Sequence, residues 1–248
     1  MPAPEPPAAP HWFEPVADHL GSAYLRYSFT KGTEQEVEAL AAALDLRPGQ
    51  RLLDVGCGPG RHAHAFARRG VEVVGVDISE RFVELARAAA PPGATFVRAD
   101  ARELDFDAEF DAAISLCQGA FGLAGGPGAP LDADGDVLAG IARALRPGGV
   151  AAVSAFSAYF QVRWLEDRDT FDAEAGVNHE RTAVRDESGA ETEVDLWTTC
   201  FTPRELRLLA AAAGLRVRAI WSVTPGAYAP APPTIDTPEF LLLAERPA

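Results

Sequence analysis

The stretch LLDVGCGPGRHAHAFARRG, residues 52–70, decides how this chain folds. It opens with a short apolar run, which is typical of a buried strand, and it closes with a run of helix-forming residues. Between them Gly56, Gly58 and Gly60 alternate, and glycine lets a backbone turn tightly and approach a ligand closely. The stretch therefore predicts a strand, a ligand-binding loop and a helix. It also raises the question of which ligand the loop holds.

Strands and helices alternate on both sides of this loop as far as Phe156. Such alternation predicts a mostly parallel sheet with helices on both faces, because parallel strands are joined by crossover helices. After Phe156 the alternation stops, and residues 157–200 are predicted to form a small inserted lid whose hairpin turns at 187–189. A helix that begins at Pro203 and two further strands close the chain. We predict one Rossmann-like α/β domain over residues 11–248.

Three predicted helices start with a capping residue. Thr33 precedes Glu36 by three residues, which is the spacing of a capping box. Ser79 and Thr202 each stand directly before a helical run, where a hydroxyl can accept a hydrogen bond from a free backbone N–H. These residues predict where the helices begin.

Composition and charge limit the possible partners. The 248 residues are 48% hydrophobic, which is enough for one large core, and the net charge of −14 comes without any cluster of Lys and Arg. Phosphate backbones and anionic membranes attract clustered positive charge, so we expect neither nucleic acid nor a membrane as a partner. No apolar run approaches the roughly 20 residues that span a bilayer. The oligomeric state stays open.

The cysteines and the first residues indicate the compartment. Cys57, Cys117 and Cys200 form no CxxC pair and no cluster with histidine, which favours the reducing cytoplasm and predicts no metal site. Residues 1–10, MPAPEPPAAP, are half proline and lack the basic start and the apolar run of a signal peptide. We predict that they form a disordered tail.

Two kinds of cofactor could use the glycine loop. Residues 58–63 match the G-x-G-x-x-A pattern of dinucleotide-binding proteins, and Asp77 follows about twenty residues later, so an NAD-dependent oxidoreductase is one alternative. A carboxylate at Asp54, however, would repel a pyrophosphate and favour a cationic ligand. Asp100 ends the third strand, where it could accept a hydrogen bond from an adenine amine. Together these carboxylates favour a cationic adenosine ligand with a free ribose.

The ordered set of motifs resembles the class I S-adenosylmethionine-dependent methyltransferases. The matching segments are LLDVGCGPG, VVGVDIS, VRADARELDF, FDAAISLCQGAF and ALRPGGVAAVSAF, in the family's order within residues 33–156. The resemblance implies a seven-stranded sheet with one antiparallel strand, and S-adenosylmethionine as the cofactor. It also implies that the cofactor contacts residues at the strand ends and before the first of the sheet's helices: Asp54, Gly56, Cys57, Gly58, Asp77, Ile78, Asp100, Ala101, Leu116 and Tyr27.

Within that set the resemblance implies different tasks. The glycine loop and the region of Asp54 would hold the amino-acid end of the cofactor. Asp77 would bind the two ribose hydroxyls, and Ile78 would pack against the adenine. Asp100 and Ala101 would meet the edge of the adenine ring.

Methyl transfer from a sulfonium is an in-line displacement, so the protein mainly orients the acceptor and excludes water. The predicted acceptor is an oxygen or nitrogen of a small molecule, and within that class a secondary metabolite. A protein that binds the cofactor on the same fold without transferring methyl groups is a second alternative. The catalytic base stays unknown, with His62 and His179 as candidates. The acceptor is expected to contact residues of the loops and the lid, namely Tyr24, Gln118, Phe121, Tyr159 and Trp164.

Overall fold

The computed structural model describes residues 11–117, 119–127 and 129–248. The predicted tail, residues 1–10, lies outside the described residues. The helices are α1 (Phe13–Leu20), α2 (Thr33–Ala43), α3 (Arg61–Arg68), α4 (Glu80–Ala88), α5 (Ala133–Ala144), α6 (Ala158–Arg163) and α7 (Pro203–Ala212). The strands are β1 (Arg51–Val55), β2 (Glu72–Asp77), β3 (Ala94–Arg98), β4 (Phe110–Ser115), β5 (Leu145–Ser157), β6 (Thr170–Asp172), β7 (Val177–Arg185), β8 (Glu191–Phe201), β9 (Arg216–Val223) and β10 (Glu239–Glu245). Short 3-10 turns cover Gly21–Arg26, Ser28–Thr30 and Ala101–Glu103.

Seven of these strands form the central sheet in the order β3-β2-β1-β4-β5-β10-β9. Neighbours from β3 to β5 run parallel, whereas β10 runs antiparallel to both β5 and β9. This is the Rossmann-like α/β arrangement with one antiparallel strand, so the predicted fold class is confirmed. The parallel strands all end at one edge of the sheet, where ligands of open α/β sheets bind.

Helices cover both faces of the sheet. On one face α5 and α7 bury Val137 and Leu206 against the strands. On the other face α2, α3 and α4 bury Leu40, Phe66 and Val83. Burial of each such side chain contributes about 1.5–3 kcal/mol to the free energy of unfolding, which keeps the strand ends rigid.

The segment between β5 and α7 holds α6 and a three-stranded antiparallel sheet, β6-β7-β8. Strands β7 and β8 pair from Val177–Thr199 to Arg185–Glu191, and Asp186 Oδ1 accepts hydrogen bonds from the N–H groups of Ser188 and Ala190 in the turn between them. The end of β8 joins the end of β5 in parallel. The hairpin therefore rises from the same sheet edge as the glycine loop.

The capping predictions have different outcomes. Ser79 Oγ accepts from the N–H of Phe82, and Thr202 forms a full capping box with Glu205, so both of these predictions are confirmed. The capping box at Thr33 is wrong, because Gly32 caps α2 in a left-handed conformation with φ of 100°. The Glu36 side chain points into the protein instead, where buried partners bind it. No helix in the described part of the chain is long and apolar enough to cross a membrane.

Candidate active site

A cavity of about 440 Å³ lies above the carboxyl edge of the sheet, between the glycine loop and two covering segments. The first cover is the N-terminal segment, residues 11–30, and the second is the β7–β8 hairpin. Most of the wall is apolar or aromatic, and the described lining residues include no Lys, Arg or His. They are Trp12, Phe13, Val16, Leu20, Tyr24, Tyr27, Phe29, Gly56, Gly58, Asp77, Phe82, Cys117, Gly119, Leu123, Phe156, Glu180, Thr182, Ala183, Val184, Leu196, Thr198 and Glu239.

A narrow cleft of about 30 Å³ adjoins this cavity along the ends of β2 and β3. It shares Gly56 and Asp77 with the cavity and continues past Ile78 to Asp100 and Ala101. Four residues that the sequence assigned to the ribose and the adenine thus line one continuous space. A flat, elongated ligand could lie with one end in the cleft and the other in the cavity.

The glycine loop forms the floor of the cavity, and two of its glycines have different roles. Gly56 has φ of +74°, and a Cβ added there would lie 2.1 Å from the carbonyl carbon of Gly119. Gly58 has φ of +54°, but the nearest atom to its added Cβ is Cε1 of Tyr24, at 3.7 Å. Gly56 is therefore needed for backbone packing, whereas Gly58 leaves free the space that a side chain would fill.

Two carboxylates lie at the loop and have raised pKa values. Asp77 Oδ2 accepts from the N–H of Gly58 at 2.8 Å and Oδ1 from that of Ser79 at 2.9 Å, and burial raises its pKa to about 6. Burial, and secondarily the charge of Asp77, raises the pKa of Asp54 to about 7 against the opposing charge of Arg61. Oδ2 of Asp54 is buried with no hydrogen-bond partner in the described chain. Asp77 lines both spaces and can accept further hydrogen bonds, whereas Asp54 is 2% exposed, lines neither space and can act there through its charge.

The third predicted carboxylate behaves differently. Asp100 Oδ1 accepts from both the backbone N–H and Nε of Arg102, at 2.9 Å each. Its partial burial favours the neutral form, but the hydrogen bonds from Arg102 outweigh burial and lower the pKa of Asp100. At neutral pH the cleft therefore presents an ionised carboxylate, with a guanidinium beside it.

A buried ion cluster beneath the loop escaped the sequence analysis. Glu36 Oε2 accepts from Arg61 Nη1 at 2.7 Å and lies 2.8 Å from His62 Nε2, while Oε1 accepts from the N–H of Gly226 at 2.7 Å. Arg61 Nη2 also donates to Cys117 Sγ at 2.7 Å. Burial opposes ionisation of Glu36, but His62 and Arg61 lower its pKa overall. The cluster joins α2, α3 and the loop after β4, so it supports the cavity floor.

The histidine candidates for a base both lie away from the cavity. His62 belongs to the ion cluster, and burial lowers its pKa to about 4, so it is neutral and lines neither space. His179 Nε2 lies 2.8 Å from Asp195 Oδ1, and its ring stacks on Trp197 with 4.9 Å between centroids. Alternation along β7 puts His179 on the face opposite Glu180, which lines the cavity. Neither histidine lines the cavity or the cleft.

The residues predicted to contact the acceptor differ in whether they line the cavity. Tyr24 lines the cavity, whereas Phe121 is fully buried and stacks on Phe201 with 4.6 Å between centroids. Tyr159 and Trp164 are 44% and 58% exposed on and just after α6, outside the cavity. Their aromatic character suggested a binding wall, but α6 turns them outward.

Three further predictions concern the donor side. Tyr27 lines the cavity, and its hydroxyl accepts from the N–H of Arg185 in the hairpin at 3.0 Å. Cys57 and Leu116 are buried and line neither space, so both support the floor from below. Gln118, which was predicted to contact the acceptor, lies outside the described residues.

Several lining residues are not among the site residues predicted from the sequence. Trp12 and Phe13 come from the start of the N-terminal segment, and Glu239 comes from the start of β10. Glu180 and Thr182 line the cavity from alternate positions of β7. This period-two spacing was the one available signal for β7, because every second residue of a strand faces the same side.

The two covers are fastened to each other at the tip of the hairpin. Glu187 Oε1 accepts from the N–H of Ser22 at 2.7 Å and from Arg81 Nη2 at 3.0 Å. At the other end of the segment, Trp12 Nε1 donates to the carbonyl of Gly125 at 2.6 Å. The N-terminal segment therefore also contacts the glycine-rich loop after β4.

The described residues provide neither an ionised cysteine thiol nor a group of side chains placed to hold a metal ion. Burial raises the pKa of Cys117 and of Cys200 to about 12, and it raises that of Cys57 as well, so all three thiols stay neutral. Across residues 11–117, 119–127 and 129–248 no group of three or more His, Cys, Asp or Glu side chains is placed to hold a metal ion.

Comparison with known proteins identifies the family. Residues 52–149 match the family model described as a methyltransferase domain. The cypemycin N-terminal methyltransferase of a Streptomyces species is 30% identical over 214 residues, which cover 80% of this chain and 84% of that protein.

Two solved structures show the same fold. The CcbJ methyltransferase from Streptomyces caelestis has a TM-score of 0.72 at 22% identity and covers 96% of this chain and 98% of its own. CalS10 with bound S-adenosylmethionine, an amino pentose methyltransferase from Micromonospora echinaspora involved in calicheamicin biosynthesis, has a TM-score of 0.63 at 25% identity, with 91% and 95% covered.

The chain belongs to the class I S-adenosylmethionine-dependent methyltransferases. It is an S-adenosylmethionine-dependent methyltransferase, and S-adenosylmethionine is its methyl donor. The two alternatives, an NAD-dependent oxidoreductase and a cofactor-binding protein without methyl transfer, are therefore set aside. Because the NAD-dependent oxidoreductase is set aside, the glycine loop is no longer interpreted as a pyrophosphate site.

Proposed function

We propose that this methyltransferase acts on an oxygen or nitrogen atom of a small molecule, and within that class on a secondary metabolite. The observation that carries the proposal is the cavity of about 440 Å³ enclosed between the glycine loop and the two covers. A space of that size accommodates part of the donor and a small acceptor, but not a folded macromolecule. The relatives named for cypemycin and for calicheamicin biosynthesis support an acceptor of this kind.

The donor fits the cleft and the floor of the cavity. Gly58 leaves room beside the loop, the unpartnered Oδ2 of Asp54 can compensate a positive charge nearby, and Asp77 can accept from ribose hydroxyls. We assign the cleft past Asp100 and Ala101 to the adenine. When bound, S-adenosylmethionine supplies a methyl group already activated on a sulfonium.

The remaining task of the protein is to orient the acceptor and exclude water. The aromatic wall made by Trp12, Phe13, Tyr24 and Phe156 offers flat apolar surface for this purpose. Aromatic faces also attract cations, which suits a sulfonium in the space they enclose. Correct orientation alone lowers the barrier of a displacement substantially, and a base contributes where the acceptor is a hydroxyl or a protonated amine.

The surroundings of the site agree with a metabolite acceptor in a reducing compartment. A net charge of −14 disfavours polyanionic acceptors such as nucleic acids. The three cysteines are free, which supports action in the cytoplasm.

The donor site is tested by calorimetric titration of S-adenosylmethionine, S-adenosylhomocysteine and NADH into the wild type, Asp77→Ala and the exposed control Asp105→Ala. We expect micromolar binding of both sulfur ligands, no binding of NADH, and a loss of about 10- to 100-fold in Asp77→Ala, because a buried charged acceptor is removed. Asp105→Ala should bind like the wild type. Equal affinity in Asp77→Ala would contradict the assignment of Asp77.

The acceptor class is tested by following S-adenosylhomocysteine release with metabolite extracts separated into fractions below and above the size of a small peptide. Turnover confined to the small-molecule fraction supports the proposal. Turnover confined to protein or nucleic acid would contradict it.

A further inference from the structure

The acceptor side of the cavity contains carboxylates without any cationic side chain. Asp77 belongs to the donor side, because it also lines the cleft. Glu180 and Glu239 line only the cavity, one from the hairpin and the other from the sheet edge. None of the lining residues in the described chain is a Lys, Arg or His. The described lining of the acceptor side therefore combines carboxyl groups with apolar and hydroxyl side chains and contains no cationic side chain.

Glu180 stands in the hairpin wall with a neutral neighbour and no fixed counter-charge. It lies opposite Leu196 in the β7–β8 ladder, and Thr182, two residues further along the same face, donates a hydrogen bond to it. Glu180 forms no ion pair with the described residues, and the nearby Arg168 is paired with Glu166 at 3.3 Å. Burial, with Asp169 close by, raises the pKa of Glu180. A carboxylate held this way gains from an arriving cation.

The second carboxylate lies at the sheet edge. Glu239 is 4% exposed and pairs with Phe156 at the carboxyl end of β5. The glycine loop and Cys117 line the same end of the cavity. An acceptor that reaches from the hairpin to the sheet edge thus meets carboxylate oxygens at both ends and aromatic rings between them.

We infer that the acceptor is an amine that enters as its ammonium cation, with Glu180 of the hairpin as the residue that selects it. Before transfer the ammonium gives one proton to the Glu180 carboxylate, and the freed nitrogen lone pair forms the N–C bond as the S–C bond of the sulfonium breaks. This inference rests on the proposed small-molecule methyltransferase function and narrows its acceptor to nitrogen compounds. An ammonium can donate to Glu180 and lie against the faces of Trp12 and Phe13, whereas an alcohol makes a weaker bond and a carboxylate is repelled. Selection therefore comes from charge as well as from shape.

The test uses three probes of one shape and different charge: 2-phenylethylamine, 2-phenylethanol and phenylacetate. Each is titrated by calorimetry into the full chain saturated with S-adenosylhomocysteine, in the wild type, Glu180→Gln and Glu193→Gln. Glu180→Gln keeps the side-chain shape and removes the charge. Glu193→Gln removes a charge from an exposed position of the same hairpin and serves as the matched control.

We expect the amine to bind the wild type about tenfold or more tightly than the alcohol, with phenylacetate weakest. Glu180→Gln should weaken the amine about tenfold and leave the alcohol unchanged, and Glu193→Gln should change neither. Equal binding of amine and alcohol, no saturable binding of the amine, or an unchanged amine affinity in Glu180→Gln would overturn the inference.

The binding of S-adenosylhomocysteine in the same titrations separates the two proposals. If that ligand binds with micromolar affinity and the amine preference is absent, the amine inference alone fails. If S-adenosylhomocysteine itself does not bind, the donor site fails and with it the proposed function. Thermal unfolding of all three proteins at one midpoint excludes misfolding as the cause.

Discussion

The floor of the active site and its cover are built on different principles. The floor consists of strand ends and the loops that follow them directly, so Gly56, Asp77 and Asp100 are positioned by their own β-strands. The cover depends on contacts between distant segments, such as Ser22 with Glu187 and Trp12 with Gly125. A protein can therefore change its acceptor by changing the cover while the donor site stays intact.

The two regions also differ in how they use charge. In the floor, Asp54 and Asp77 are nearly fully buried at 2% and 4% exposure and hold raised pKa values. In the cover, aromatic side chains dominate and Glu180 is the carboxylate that the hairpin contributes to the cavity. Donor binding should accordingly respond to pH and to backbone changes in the floor, and acceptor binding to changes in the cover.

The largest effect is expected from Gly56→Ala in the floor. The added methyl would lie 2.1 Å from the carbonyl carbon of Gly119, so two backbone segments would have to separate. We expect a loss of about 3 kcal/mol or more in the free energy of unfolding, together with loss of donor binding. Urea unfolding and calorimetry with S-adenosylhomocysteine measure both quantities.

The matched control for this change is Gly49→Ala. Gly49 has φ of +85° but nothing within 4 Å of an added Cβ, so the substitution adds conformational strain without a clash. It should cost about 1–2 kcal/mol and leave donor binding intact. An equal cost at the two positions would show that strain alone, not packing of the floor, makes Gly56 necessary.

An intermediate effect is expected from pH. Asp77 and Asp54 have pKa values raised, chiefly by burial, to about 6 and about 7, so both gain charge as the pH rises through this range. Because the sulfonium donor is a cation, we expect its affinity to rise by up to about tenfold per pH unit for each proton released. Calorimetry in buffers of different ionisation enthalpy counts the protons directly.

In the donor-free protein, the same two carboxyl groups lower the free energy of unfolding as the pH rises. Above the ordinary carboxyl pKa of 3.8, Asp77 and Asp54 keep protons in the folded chain that they have lost in the unfolded chain. Their contribution to the free energy of unfolding is therefore complete below pH 3.8. It is lost as the pH rises through about 6 to about 7. Asp77→Asn keeps the shape without titrating and should remove the contribution of Asp77 from both pH profiles, leaving that of Asp54. Unchanged profiles would contradict this account.

The smallest effect is expected from Glu187→Ala at the tip of the hairpin. The side chain is exposed and joins the hairpin to Ser22 and Arg81, so its loss frees the cover without disturbing the sheet. We expect the KM of the acceptor to rise by less than about fivefold, with donor affinity unchanged. Glu191→Ala removes an ion pair with Arg185 within the hairpin and is the control. A larger change in donor affinity than in KM would contradict the separation of floor and cover.

Sequence reasoning predicted that several residues of the floor lie close together, because its signals there are local. A strand, a glycine turn and an acid at the next strand end occur within a few residues of each other, and parallel strands bring their ends to one edge. Asp77, Ile78, Asp100 and Ala101 accordingly line one cleft, as expected from the sequence. The same reasoning misjudged Glu36, because a three-residue spacing is shared by a capping box and by a buried helix face.

In the cover, residue type was not enough to identify the lining. Trp12 faces the cavity while Trp164 faces solvent, and His179 faces away while its neighbour Glu180 faces inward. Aromatic and titratable side chains occur on both faces of helices and hairpins, and only packing selects the face.

The sequence alone therefore determined the fold class, the family and the donor edge of the sheet, because hydrophobic periodicity and glycine turns act over short distances. Only the tertiary structure decided which side chains enclose the acceptor, including Glu180 and Glu239. It also revealed the ion cluster of Glu36, Arg61 and His62 under the floor. Both depend on contacts between segments far apart in the chain, whose pairing is selected by the free energy of the whole packed molecule.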